Sequence, residues 1–348
     1  MVERKLALVD FPDEERFEKT GIGVYGDGIR KVLDDAGVPY SRISAIAPDR
    51  RIIFRWFFGM FTDLISRARK TGPNDVTHIV YEGFGFLMPF IRGKRIVTIH
   101  HVVQNEEGDS KAWYLAWKFF TKLAIRYSDM IVAISAQTRK ELIEVFRVPE
   151  SKIRVVMNKP SNAFSTIEGI ERKRSVGFVG TLTKRKNVPA LMRLFKGLIE
   201  MPGMSDVSLR ICGKGPESDA LHALADSLGI TDRTEFVEDI STDELNTFYN
   251  SVSVLANPSL HEGFGYVTLE AQRCSTPVVF FKHAEIPKEV TEAAVPCEDE
   301  NEFRDTMYRL LTDEEYWSDV SRKGRTYSES FGNDYACKML DIYFGPME

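Results

Sequence analysis

Short β-branched or apolar runs alternate with longer amphipathic stretches along this chain, and the alternation runs through twice. "KLALVDF", "YSRISAI", "VTHIVYE", "RIVTIHH", "MIVAIS" and "IRVVMN" mark the first pass, and "SVGFVG", "VSLRICGKG", "TEFVED", "VSVLANPS" and "TPVVFF" mark the second. Parallel strands need a crossover long enough to hold a helix, so this rhythm predicts a parallel sheet with helices on its faces. The polar, turn-rich "MNKPSNAFSTIEGIERKR" separates the two passes. With 348 residues to bury, the expectation is two doubly wound α/β domains, 1–165 and 170–330, with a helix over about 331–348 packing back on the first.

Composition narrows the classes of function. The four cysteines, Cys212, Cys274, Cys297 and Cys337, form no C-x-x-C pair, which argues against a zinc knuckle or a disulfide framework. The N-terminal apolar run is shorter than a signal segment and no run of about 18 apolar residues occurs, so a cytoplasmic protein is expected. The charge is asymmetric: up to Pro160 there are 26 Lys and Arg against 20 Asp and Glu, and beyond it 20 against 31. The basic residues of the first half are dispersed and belong to no nucleic-acid module, so no nucleic-acid partner is expected.

"GIGVYG", residues 21–26, has the spacing G-x-G-x-x-G ahead of a predicted helix. In a dinucleotide fold such glycines follow the first strand directly, and an acidic residue about 20 positions on reads the ribose. Here a charged stretch intervenes, and Asp49, flanked by arginines, fits poorly. Two readings remain: glycines that merely permit a tight turn, and a mobile glycine loop whose N–H groups seat a phosphate.

"NPSLHEGFGYVTLEAQRCSTPVV", residues 257–279, puts a strand end, a glycine turn and a helix in succession, with seven residues between Glu262 and Glu270. Ligands of doubly wound sheets bind beyond the carboxyl ends of the strands. Ionised carboxylates there accept hydrogen bonds from sugar hydroxyls. The plainer alternative makes Glu262 a favourable charge at a helix N-terminus and Glu270 a solvated helix residue. "VGTLTKRKNVPALMRLF", residues 179–195, sets Lys184, Arg185 and Lys186 at another strand-to-helix turn, either as a solvated charge run or as a seat for a diphosphate.

In order, "GTLTKRKN", "RICGKGPE" and "FVEDISTDELNTFYNSVSVLANPSLHEGFGYVTLEAQRCSTPVV" resemble the nucleotide-binding domain of the retaining GT-B glycosyltransferases of family four, within an "RKN" mannosyltransferase-like subgroup. The first half is similar more loosely, through "GIGVYGDGIRKVL", "IVTIHH", "MIVAISAQTRKELI" and "VPESKIRVVMN". The resemblance implies a GT-B fold, with two Rossmann-like domains facing across a cleft. By position it implies that Arg185 and Lys186 hold the donor diphosphate, that Glu270 binds the nucleotide ribose and that Glu262 stands beside the donor sugar. It makes Gly263, Phe264 and Gly265 the turn whose backbone meets sugar and phosphate, Gly21 and Gly23 a loop that meets the phosphate on closure, and His100 the site histidine. Departures are Thr181 where many members carry arginine, "NKPS" for "NGVD" and "HH" for "HD".

The implied activity is retaining transfer of a hexose from a nucleotide diphosphate sugar to an acceptor hydroxyl. Mannose from GDP-mannose is favoured over glucose from UDP-glucose, and the acceptor is a glycan or lipid-linked. His100, Glu262, Arg185 and Lys186 are the expected catalytic residues, with front-face attack guided by the leaving phosphate. The alternatives are a nucleotide-sugar epimerase on the same scaffold and a non-catalytic nucleotide-sugar sensor. Neither the six histidines nor any carboxylate cluster suggests an obligatory metal. Residues 50–70, with Arg50, Arg51, Arg55, Arg67, Arg69, Lys70, Trp56, Phe57, Phe58 and Phe61, combine basic and aromatic side chains, as do residues 111–127. One reading of both stretches is contact with an anionic membrane surface from the cytoplasmic side; the other is packing on the sheet.

Overall fold

In the computed structural model, which describes residues 5–11, 21–44, 53–102 and 111–346, each pass of the rhythm becomes a six-stranded sheet with every pairing parallel. The chain divides into two units, Met1–Lys159 with Gly332–Glu348, and Pro160–Phe331.

The first unit contains β1 (Leu6–Asp10), α1 (Gly21–Asp35), β2 (Tyr40–Ser44), α2 (Ile53–Ala68), β3 (Val76–Ile79), β4 (Lys94–Ile99), α3 (Lys111–Tyr127), β5 (Met130–Ala133), α4 (Ala136–Phe146) and β6 (Ile153–Val155). Its strand order is β2-β1-β3-β4-β5-β6. The strands β1 and β3 are buried over their whole length, as a parallel sheet covered on both faces requires; this is why the strands read as short apolar or β-branched runs rather than alternating ones. The helix α4 starts at Ser135, whose side chain accepts the Thr138 N–H at 3.0 Å.

The second unit runs β7 (Lys173–Val179), α5 (Val188–Ile199), β8 (Ser208–Cys212), α6 (Ser218–Leu228), β9 (Thr234–Val237), α7 (Thr242–Ser251), β10 (Val252–Asn257), α8 (Tyr266–Arg273), β11 (Val278–Phe281), α9 (Lys288–Thr291), β12 (Val295–Cys297), α10 (Glu300–Thr312) and α11 (Glu314–Ser330). The order is β12-β11-β10-β7-β8-β9. After β9 the chain crosses back to the far side of β7, so β7 and β10 flank the point where the winding reverses and where loops splay apart to leave a crevice. The strand β12 answers to no run in the expected rhythm; it has three residues, one of them Pro296.

The last helix, α12 (Tyr335–Phe344), returns to the first unit. Tyr343 is fully buried there, with its hydroxyl 2.7 Å from His78 Nδ1. Lys94 donates through Nζ to the Ile342 carbonyl.

The glycine motif differs from the expected loop. The helix α1 begins at Gly21, so Gly21 and Gly23 lie in its first turn. Tyr25, Ile29 and Leu33, spaced four apart, bury one face of this helix, and the Tyr25 hydroxyl lies 2.6 Å from Thr98 Oγ1. That burial outweighs the roughly 1 kcal/mol that each glycine costs a helix. Of residues 50–70, 50–52 lie outside the described residues, as do the side chains of Arg55, Trp56, Phe57 and Phe58, and the backbone of 53–68 forms α2. Among the described residues no helix is long and apolar enough to cross a membrane.

A 3₁₀ segment, Glu82–Phe90, follows β3 and lies against α3. A Cβ on Gly85 would fall 2.1 Å from the Phe120 carbonyl oxygen and 2.8 Å from Ala124 Cβ, so only glycine fits between the two elements. Gly85→Ala is expected to lower stability by about 1–3 kcal/mol through overpacking. A urea midpoint equal to that of the parent chain would contradict this.

Candidate functional site

At the reversal of the second sheet, the loops leaving β7 and β10 are tied together by their backbones. The Leu260 N–H donates to the Arg185 carbonyl at 2.9 Å, and the Glu285 N–H donates to the Leu260 carbonyl at 2.8 Å. The Glu262 N–H donates in turn to the Glu285 carbonyl at 2.9 Å. Lys184–Lys186 form one 3₁₀ turn, and Asn187 in the left-handed region (φ 52°) swings the chain into α5. The neighbouring loops approach so closely that a Cβ on Gly213 would lie 1.9 Å from the Gly180 carbonyl oxygen, which explains the glycine in "ICGKG".

This scaffold brings Arg185, Lys186 and Glu262 into one cluster. Arg185 donates through one guanidinium nitrogen to Glu262 Oε2 at 3.0 Å and to the His261 carbonyl at 2.9 Å. Lys186 donates to Glu262 Oε1, and Ser259 Oγ adds a hydrogen bond to the same oxygen at 2.7 Å. Glu262 and Lys186 are buried, while the Arg185 side chain keeps 34% exposure. Burial alone would raise the Glu262 carboxyl, but the adjacent Lys186 and Arg185 charges overturn that and hold it at about 2. Burial lowers the Lys186 ammonium, opposed by Glu262 and reinforced by Arg185.

Two cations against one carboxylate leave the cluster a unit positive. Exposed Lys184 and the start of α5 add to the same field. The combination suits a multiply charged anion: Arg185 presents donors at the surface while Lys186, half-neutralised by Glu262, lies beneath.

Glu270 sits in the second turn of α8, which begins after Gly265 in the left-handed region (φ 96°). It is buried rather than solvated, and its Oε2 accepts the Tyr249 hydroxyl at 2.8 Å. Oε1 accepts no hydrogen bond from the described residues. Burial pushes the carboxyl up to about 7, although the Tyr249 hydrogen bond works against the rise. Gly263 is half-buried; Phe264 is buried against Tyr266, with ring centroids 4.8 Å apart, so this turn offers a ligand its backbone.

His100, just past β4 in the first unit, is buried. A carbonyl can only accept, so Nε2 carries the proton that is donated to Val80 O at 2.8 Å, and Nδ1 keeps its lone pair. Burial pushes the ring down to about 4, so it is neutral at pH 7. The Tyr25 ring meets it edge-on at 4.9 Å. Gly21 and Gly23 open the helix that carries Tyr25. Beneath lies the buried Glu82, whose Oε1 accepts Trp117 Nε1–H at 3.3 Å.

The sequence names neither Ser259 nor Tyr249 nor Glu82. Ser259 lies within the quoted loop three positions before Glu262, a usable signal; Tyr249 joins Glu270 only through the fold. Among the described residues no three His, Cys, Asp or Glu side chains are grouped to hold a metal ion.

The fold, with two parallel six-stranded sheets clothed in helices, is the GT-B fold. Solved HepE from Anabaena, in complex with UDP and glucose, superposes with a TM-score of 0.74 over 98% of this chain and 99% of that one at 15% identity. Residues 24–158 match the family model described as Glycosyltransferase Family 4, and residues 162–327 match the one described as Glycosyl transferases group 1. The chain belongs to this glycosyltransferase family.

Relatives include a D-inositol 3-phosphate glycosyltransferase of Salinispora tropica, 32% identical over 50% of this chain and 38% of that protein. The O-antigen chain mannosyltransferase RfbU of Salmonella typhimurium is 23% identical over 55% of this chain and 53% of its own length. The matches thus span about half or less of these curated relatives.

The raised carboxyl of Glu270 fixes the sign of a pH effect. Its contribution is intact below about 4.5 and is lost as pH rises through about 7, because the unfolded chain has by then shed a proton that the folded chain retains. Glu270→Gln is therefore expected to gain stability relative to the parent by about 3 kcal/mol between pH 4.5 and 7.5. A difference in unfolding free energy that stays flat with pH would refute the assignment.

Proposed function

We propose that the chain is a retaining glycosyltransferase that moves a hexose, mannose ahead of glucose, from a nucleotide diphosphate sugar to an acceptor hydroxyl. The observation that carries this reading is the net-positive Arg185–Lys186–Glu262 cluster at the reversal point of the second sheet. As the bond to the sugar breaks, negative charge grows on the departing diphosphate, and fixed cations in a site that excludes water stabilise it most. Glu270, with Oε1 free to accept, takes the ribose hydroxyls. Glu262 takes a sugar hydroxyl beside the diphosphate, the turn Gly263–Gly265 offers N–H groups, and the neutral His100 accepts a hydroxyl hydrogen at Nδ1. Gly21 and Gly23 open a helix whose N-terminal end favours a phosphate. No step in this reading calls on a metal. The mannosyltransferase relative and the "RKN" turn support mannose; the sugar in the solved HepE complex keeps glucose as the second candidate.

Arg185→Ala is the cleaner test of the diphosphate seat, because it removes a part-exposed donor and leaves Glu262 paired with the buried Lys186. Binding of UDP or GDP is expected to weaken by about 1.5–3 kcal/mol, one charge-assisted contact. Unchanged affinity in calorimetry would overturn the seat. Incubation with GDP-mannose and UDP-glucose, with the anomeric configuration of the product read by NMR, tests donor and stereochemistry together.

The acceptor is, in this reading, lipid-linked, and the first unit meets an anionic membrane. Leu115 and Phe119, one turn apart on α3, are 63% and 57% exposed beside exposed Lys122 and Arg126. Apolar side chains flanked by cations favour the interface of an anionic bilayer. The chain is expected to pellet with phosphatidylglycerol vesicles and not with phosphatidylcholine, and Leu115→Ser with Phe119→Ser to release it. Equal pelleting with both lipids, or with neither, would defeat the proposal.

A further inference from the structure

Tyr249 is fully buried at the end of α7 and is held from every side. Its ring meets Phe164 edge-on at 5.6 Å. Its carbonyl accepts Thr276 Oγ1 at 2.6 Å and Arg172 Nη1 at 3.4 Å. The same Arg172 nitrogen donates to Thr276 Oγ1 at 2.7 Å and to Val252 O at 3.0 Å, while its Nη2 reaches Cys274 O at 2.6 Å. Trp317 covers the guanidinium at 5.1 Å. A half-buried arginine thus clamps the ends of α7 and α8 together through carbonyls, and among the described residues the Tyr249 hydroxyl has one polar target, Glu270 Oε2.

We infer that Tyr249 is a positioning residue for the ribose of a nucleotide: it occupies one carboxylate oxygen of Glu270 so that the other, Oε1, faces the paired ribose hydroxyls. This rests on the reading of Glu270 as the ribose acceptor. A carboxylate with no donor in a buried corner rotates or takes up a proton, and a protonated acid presents one acceptor fewer to a diol. Among the described residues the ionisable groups acting on this corner are Tyr249, Cys274, Cys212, Arg172 and Arg273; burial keeps both thiols neutral, and of these groups Tyr249 alone donates a hydrogen bond to Glu270.

Tyr249→Phe keeps the ring and deletes the hydroxyl, so the clamp and the packing survive. UDP and GDP, each beside its 2′,3′-dideoxy form, are titrated by calorimetry into the parent chain and the variant from pH 5.5 to 8.5. The parent is expected to prefer the ribose forms, and Tyr249→Phe to bind them about three- to tenfold more weakly at pH 7 while binding the dideoxy forms unchanged. The midpoint at which acid weakens ribose binding should rise in the variant, because Glu270 has lost the donor that opposes its protonation. Equal losses on ribose and dideoxy probes, or an unmoved midpoint, would overturn the positioning role alone. A parent chain that does not distinguish ribose from dideoxy probes would overturn the assignment of Glu270 itself, and the inference with it. Should the variant fold poorly, Tyr249→Phe in the Glu270→Gln background decides: a further loss on ribose probes there would contradict an action through Glu270.

Discussion

The ion cluster of Lys186, Arg185 and Glu262 is the interaction on which the second unit is organised. An isolated buried lysine or glutamate would shed its charge, whereas here each is kept ionised by the other, with Ser259 and Arg185 filling the remaining positions on the carboxylate. The pair also joins the loops after β7 and β10 at the one point in the sheet where sequential winding cannot keep them adjacent. A buried pair of this kind adds little net stability, and its worth lies in fixing geometry. Glu262 absorbs one positive charge of two, leaving enough to attract an anion without leaving two bare cations in a crevice.

Around this cluster the chain places polar groups at increasing burial. Arg185 is part-exposed, Lys186 and Glu270 are both buried, and Tyr249 behind Glu270 is fully buried. The first unit has a comparable arrangement past β4, where His100 is fixed by the Val80 carbonyl and the Tyr25 ring. There the last helix of the chain takes part in the same polar chain, from Tyr343 through His78 and Thr98 to Tyr25. A neutral imidazole with one ring nitrogen committed and the other open is what burial and a single carbonyl impose.

Much of this was legible beforehand where the physics is local. The strands announce themselves because a parallel sheet covered on both faces needs short apolar or β-branched runs, and Arg185, Lys186 and Glu262 stand at strand-to-helix turns that sequence can place, with Glu270 in the helix that follows. What failed was non-local. Gly21–Gly26 reads as a loop because glycine disfavours helix, and only the burial of Tyr25, Ile29 and Leu33 against the sheet decides otherwise. The run Lys184–Lys186 gives no sign that its last member is buried, nor does Glu270 on α8 reveal that it faces Tyr249 rather than water. Val295–Cys297 is too short, and too interrupted by Pro296, to be told from a loop.

The central claim is that Arg185 and Lys186 seat a diphosphate, and a structure of the chain with UDP or GDP bound tests it most directly. The account predicts phosphate oxygens within about 3.2 Å of the Arg185 guanidinium and the Lys186 ammonium. A nucleotide bound elsewhere, with the Arg185–Glu262–Lys186 cluster unchanged and no phosphate near it, would contradict the account.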